Sequence, residues 1–151
     1  MGTMRKTRTF RQSFRSGLEV KVAEELTQLG VKYAYEPPGW VLYQKPSSKY
    51  KPDFVLPNGV IVETKGQFLS SDRSKHKLIK AQNPELDIRF VFSNSNSRIG
   101  KKSTTTYGMW CDRHGFEYAD KSIPLSWIKE KLPIKTRRAT EALCQGKKPK
   151  K

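Results

Sequence analysis

The sequence predicts an α/β domain, and three features carry that prediction. Two segments with helical spacing, 16–30 and 71–82, alternate along the chain with strand-like runs. An Asn-Gly turn joins two short apolar runs between 51 and 65, which is the strongest local signal for a β-hairpin. The segment LDIRFVF at 86–92 has the β-branched and aromatic content of a buried strand. A length of 151 residues fits a single domain with a modest core, which dimerisation would enlarge.

Ser16 is placed to cap the first helix, with Leu18, Val22, Leu26 and Leu29 as its apolar stripe and Gly30 as its stop. Ser16 and Glu19 also have capping-box spacing, in which the acid bonds back to the backbone at the positive end of the helix. That accounts fully for Glu19. Its place at the margin of the apolar stripe also suits a carboxylate facing a cleft, so two readings stand. VKYAYE at 31–36 alternates as a strand, Pro37-Pro38-Gly39 turns the chain, and WVLY at 40–43 forms a second run. The polar stretch QKPSSKY at 44–50 reads as a linker or extended bridge.

After the hairpin, Ser71 or Asp72 caps a basic helix that Asn83-Pro84 ends, with Arg73, Lys75, Lys77 and Lys80 available either to phosphates or to solvent. A Ser/Asn/Lys-rich loop at 93–103, a helix near 105–114, a short strand near 116–119 and a turn at 124–129 complete the core. Trp110 and Trp127 read as packing residues. Cys111 and Cys144 are the only cysteines, so no structural disulfide is expected. With His76 and His114 they make no zinc set, and all four are taken as packing or surface residues.

The charge is large and uneven. Thirty Lys and Arg face fourteen Asp and Glu, a net charge of +16. Residues 1–16 carry five basic side chains and no acid, and 129–151 carry nine basic and two acidic, so the two ends hold +12 of the total. This divides the chain into a basic N-terminal arm at 1–16, a central domain at 17–128 and a basic C-terminal tail at 129–151. The ends read as loosely ordered arms for a polyanion, and nucleic acid suits them better than anionic lipid because no amphipathic apolar face accompanies the charge. No apolar stretch approaches about 18 residues and no signal-peptide pattern is present, so a cytoplasmic protein without membrane partners is expected.

The hairpin KPDFVLPNGVIVETKG at 51–66 holds the chemistry. Glu63 and Lys65 fall on one face of the second strand, about 7 Å apart along it, and Asp53 reaches that face from the first. A phosphodiester is anionic and repels hydroxide, so its hydrolysis needs charge neutralisation and an oriented water. Carboxylates holding Mg2+ or Mn2+ supply both. Lys65 suits three tasks: orienting the water, helping to deprotonate it, or stabilising the phosphorane. The structural alternative makes Asp53 a strand-opening residue after proline and leaves Glu63 and Lys65 as a solvated edge pair.

In order and spacing, FRSGLE at 14–19, KPDF at 51–54, LPNGVIVETKG at 56–66, DRSKHKLI at 72–79 and PELDIRFVFS at 84–93 resemble the endonuclease I family of short-tailed bacteriophages, which are Holliday-junction resolvases. The likeness spans residues 14–128, far more than the short Pro-Asp…Glu-x-Lys nuclease signature.

The resemblance implies a restriction-endonuclease-like core, a mixed sheet flanked by helices, in a segment-swapped homodimer with composite active sites. Residues 44–50 match the family's exchanging bridge in place. It also implies catalytic Glu19, Asp53, Glu63 and Lys65. Asp53 and Glu63 would hold the metals with the backbone carbonyl of Thr64, and Glu19 would come from the other subunit. The function so implied is structure-selective nicking of four-way and branched DNA in the host bacterial cytoplasm, with Mg2+ as cofactor and Mn2+ able to substitute. A restriction or repair nuclease using the same residues, and a non-enzymatic basic DNA-binding protein, are the alternatives.

Overall fold

The computed structural model of the chain describes residues 14–43 and 48–146. Residues 1–13 of the basic N-terminal arm, 44–47 of the expected bridge and 147–151 lie outside the described residues.

Ser16 has extended backbone and its Oγ accepts the Glu19 N–H at 3.1 Å, which starts helix α1 (Gly17–Gln28). At the other end Gly30 takes a left-handed φ of 68°. The Gly30 N–H then bonds to the Thr27 carbonyl and the Val31 N–H to the Leu26 carbonyl, satisfying two of the helix's last acceptors. Val22, Ala23 and Leu26 are buried, whereas Leu29 is half exposed because it is the capping residue, already past the last helical position.

The run at 31–36 forms only the two-residue strand β1 (Ala34–Tyr35). Glu36 ends it, with φ at 42° and its N–H bonded to the Asp53 carbonyl. Strands β2 (Val41–Tyr43) and β3 (Ser48–Tyr50) pair antiparallel, Val41 opposite Tyr50. The end of the polar bridge segment is therefore a strand, and it closes on a buried aromatic.

Strands β4 (Phe54–Val55) and β5 (Ile61–Lys65) form the hairpin that the Asn-Gly turn announces. Gly59 supplies a φ of 99°, and the Asn58 side chain donates to the Trp127 and Glu130 carbonyls, pinning the turn to a distant segment. Strand β6 (Ile88–Phe92), buried at every position, runs parallel to β5, and β7 (Tyr118–Asp120) runs parallel to β6. The result is a five-stranded mixed sheet in the order β1-β4-β5-β6-β7.

Alternation along β5 and β6 divides the core in two. On one face Phe54, Val62 and Val91 pack with Val22 and Leu26 of α1 and with Trp127 of α4 (Leu125–Lys129). On the other, Ile61, Phe90 and Phe92 pack with Phe68, with Ile79 of α2 (Ser70–Gln82), and with Trp110 and Cys111 of α3 (Tyr107–His114). Trp110 and Trp127 are both packing residues, as the sequence predicts. The one charge buried in β6, Arg89, meets Asp87 at 2.8 Å, Glu117 at 2.9 Å and Glu130, so it is paired on three sides.

The basic C-terminal segment departs from the expectation of a loosely ordered arm. It carries α5 (Ile134–Cys144), with Thr136, Thr140 and Leu143 buried and Leu132 in the core. Thr140 Oγ1 donates to the Gly59 carbonyl at 3.0 Å, and the Gly39 N–H bonds to the Leu143 carbonyl at 2.9 Å. A Cβ at residue 39 would run into the Leu143 backbone, so the Pro-Pro-Gly turn seats this helix. Apolar side chains dispersed among the lysines let the segment pack despite its charge. Among the described residues no helix is long and apolar enough to cross a membrane.

Candidate active site

The register of the β4–β5 hairpin sets the site. Phe54 pairs with Val62, so one step outward Asp53 lies opposite Glu63 at the end of the ladder. Each acid is hydrogen-bonded to backbone across the hairpin, Glu63 to Asp53 and Asp53 to Thr64. The Asp53 N–H donates to Glu63 Oε1 at 3.1 Å, and Asp53 Oδ2 accepts from the Thr64 N–H at 3.0 Å and Thr64 Oγ1 at 3.1 Å. Tyr50, three residues before Asp53 and fully buried, donates its hydroxyl to the same Glu63 Oε1.

Burial dominates the electrostatics. Removal from water pushes the Asp53 carboxyl up to about 6, with the Thr64 N–H and Lys65 opposing and the Glu19 charge adding to the rise. Glu63, 3% exposed, is raised for the same first reason, with the Asp53 charge next and Lys65 opposing. Two carboxylates side by side, Glu63 buried and Asp53 partly so, repel each other when both are ionised, and a cation relieves both. Their oxygen donors, with Asp53 committing Oδ2 and Glu63 committing Oε1 to the protein, suit a hard divalent ion.

Lys65 is two residues beyond Glu63 on the same face, and its Nζ meets Asp72 Oδ1 at 3.3 Å. Asp72 is anchored in turn, its Oδ2 accepting the Leu69 N–H at the start of α2. Glu19, 5% exposed, lies on α1, on the opposite face of the sheet. The capping box is displaced by one residue: Glu19 Oε2 accepts the Arg15 N–H at 2.7 Å and the Tyr35 hydroxyl at 3.0 Å. The Glu19 charge still acts on Asp53. No three His, Cys, Asp or Glu side chains among the described residues are grouped to hold a metal ion between them. The close pair is Asp53 with Glu63, and Glu19 stands apart in its own hydrogen bonds.

Three residues at this site escape sequence reasoning or enter it in another role. Tyr50 and Tyr35 hold Glu63 and Glu19, and Asp72, read only as a cap, also tethers Lys65. Tyr50 has a signal in its position just before Lys51-Pro52-Asp53. The others depend on contacts between separate elements. Of the four basic residues of α2, Arg73 donates to the Phe68 carbonyl and Lys80 to the Gly115 carbonyl, while Lys75 lies over the Tyr50 ring.

The family model described as phage endonuclease I matches residues 1–151. The chain is 54% identical over 121 residues to "Endonuclease I" of Escherichia phage T7, covering 78% of this chain and 80% of the relative. It is 52% identical over 122 residues to "Endodeoxyribonuclease 1" of Enterobacteria phage T3, covering 79% of each. A match along the whole chain, with relatives alike over most of their own length, means that this chain belongs to the phage endonuclease I family.

Proposed function

We propose that the chain is a structure-selective DNA endonuclease that resolves four-way (Holliday) and branched junctions by metal-dependent phosphodiester hydrolysis. The observation that carries this reading is the hydrogen-bonded Asp53–Glu63 pair at the end of the hairpin ladder with Lys65 beside it, in a chain of net charge +16. Membership of a family whose relatives are named as endonucleases supports the same chemistry. The five-stranded mixed sheet with helices on both faces is compatible with a restriction-endonuclease-like core.

Asp53, Glu63 and the Thr64 backbone carbonyl would hold the ion, Mg2+ with Mn2+ able to substitute, and Glu19 would complete the site. When bound, the ion neutralises the phosphate and acidifies the attacking water. Tethered by Asp72, Lys65 offers Nζ as a donor to the phosphoryl oxygens, where charge builds as the water oxygen bonds to phosphorus. The attacking water releases a proton to solvent, the P–O3′ bond breaks, the departing oxygen takes a proton from solvent, and the products are a 5′-phosphate and a 3′-hydroxyl.

A symmetric homodimer supplies the logic for junctions, because paired active sites engage two opposed strands of a branched molecule. Segment exchange through 44–50 fits the site as well. A swapped element makes with its partner the contacts it would make in its own chain, so the effect of the Glu19 charge on Asp53 within one chain would recur between two. Shape and backbone contacts would recognise the branch, giving weak sequence preference. The place of action is the host bacterial cytoplasm.

Cleavage of a four-way junction is compared with that of a linear duplex of the same sequence, each with and without Mg2+. Metal-dependent cutting of the junction alone is expected. Equal cutting of the duplex favours a restriction or repair nuclease, and tight salt-sensitive binding without cutting favours a non-enzymatic DNA-binding protein.

A further inference from the structure

We infer that Tyr50 is a positioning residue for the metal-binding carboxylate of Glu63, a role that rests on the reading of Asp53 and Glu63 as the ion's ligands. Glu63 Oε1 accepts two hydrogen bonds, from the Asp53 N–H and from the Tyr50 hydroxyl. The first comes from the hairpin itself and moves with it. The second comes from β3, outside the hairpin, and therefore fixes the carboxylate against a separate element.

Tyr50 is itself clamped. Its ring is 1% exposed and meets the His76 ring edge-on, 5.1 Å between centroids. His76 is wholly buried on α2, packs edge-on against Phe90 at 4.9 Å, and among the described residues has no hydrogen-bond partner for either ring nitrogen. The ammonium of Lys75, on the same helix as His76, lies 5.3 Å from the centre of the Tyr50 ring. The backbone of Tyr50 is paired with Val41. With ring and backbone both held, the hydroxyl oxygen is fixed in place beside Glu63 Oε1, and its hydrogen bond there restrains the rotation of the Glu63 carboxylate. A liganding carboxylate oriented in advance binds its ion without having to order itself first, and removing such an outer partner typically weakens metal affinity about 10- to 100-fold.

The test is Tyr50→Phe in the full-length protein, which keeps the ring against His76 and deletes only the hydroxyl. Mn2+ binding is measured by calorimetry and by the paramagnetic resonance signal of free Mn2+, and junction cleavage is followed over a range of Mn2+ concentrations. The expected result is a Mn2+ dissociation constant raised about 10-fold or more, with the cleavage rate restored towards wild type once Mn2+ saturates. A metal-free variant that melts together with metal-free wild type separates this result from packing damage, which bound metal would also offset. An unchanged dissociation constant beside normal wild-type binding overturns the role of Tyr50 and leaves the metal reading intact, as does a diminished rate that excess Mn2+ fails to restore. A wild-type protein that shows no saturable Mn2+ binding overturns both.

Discussion

Adding Mg2+ to the metal-free protein should stabilise it, and by more at about pH 7.5 than at about pH 5. Burial raises the Asp53 carboxyl from 3.8 to about 6. The folded chain holds this proton more tightly than the unfolded one, so its contribution is fully present below the unfolded value and lost as pH rises through about 6. At about 1.36 kcal/mol per pKa unit, the folded protein at pH 7.5 carries a penalty of about 3 kcal/mol from this carboxylate, against about 1.6 kcal/mol at pH 5. Glu63 shifts in the same direction. His76 works the other way, since burial first, then Lys65 and Lys75, hold it well below its ordinary value and its neutral form loses stability below about pH 6.5. Comparing scans with and without metal at one pH removes most of the His76 effect. A Mg2+ concentration about 100 times the dissociation constant at pH 7.5 stabilises by about 2.7 kcal/mol. Proton competition at Asp53 alone weakens binding about 11-fold at pH 5, cutting that to about 1.4 kcal/mol. In melting temperature, at about 2–4 °C per kcal/mol, the shift falls from about 5–11 °C to about 3–6 °C, and further once Glu63 is included. Scanning calorimetry measures it. Asp53→Asn, which keeps an acceptor for the Thr64 N–H, should melt higher than wild type without metal at pH 7.5 and gain little from Mg2+. Equal shifts at both pH values, or an Asp53→Asn variant less stable than the metal-free wild type, would refute this linkage.

Glu63→Ala and Lys65→Ala should each abolish cleavage while a gel shift shows junction binding largely intact, because affinity comes from basic groups spread over the chain. Wild-type cutting by either variant would remove the hairpin from the active site. Deleting 1–13 and 147–151 should weaken DNA binding and lower the slope of log affinity against log salt by about 0.9 for each phosphate no longer neutralised. The cut at 147 spares α5, whose removal would strip Leu143 from the core. In a purified heterodimer of Glu19→Ala and Asp53→Ala chains, exchanged segments leave one site with both lesions and one intact, so nicking of a single strand is expected. A folded, junction-binding but inactive heterodimer would show that each chain builds its own site.

The parts of this protein that are legible in sequence are those set by short-range physics. Ser16 and Gly30 bound the first helix because capping and left-handed backbone are local requirements, and Asn58-Gly59 fixes the hairpin because few other pairs make that turn. The hairpin register then places Asp53 opposite Glu63 without further information. The length of β1 is not legible. The residues at 31–36 alternate correctly, but Glu36 is held at positive φ by its backbone bond to Asp53 and by the Arg15 ion pair at 3.1 Å. The C-terminal helix is obscured by its lysines and arginines, since net charge describes how a segment meets solvent and partners, whereas Leu132, Thr140 and Leu143 decide whether it packs.

The site shows the same division one level up. Asp53, Glu63 and Lys65 lie within thirteen residues of one another and advertise themselves through spacing. The side chains that orient these residues and Glu19 do not. Tyr35 reaches Glu19 from 16 residues away, Tyr50 reaches Glu63 across 13, and Asp72 reaches Lys65 from the helix that follows. Each is an ordinary strand or capping residue in its own segment. Their hydroxyls and carboxylate gain a role only when β1, β3 and α2 converge on the hairpin. Glu19 lies between the two cases: its helix-start position explains its backbone bond, but only the fold brings its charge to bear on Asp53. A carboxylate that caps a helix and also perturbs a buried acid across the sheet couples the folding of α1 to the charge state of the site.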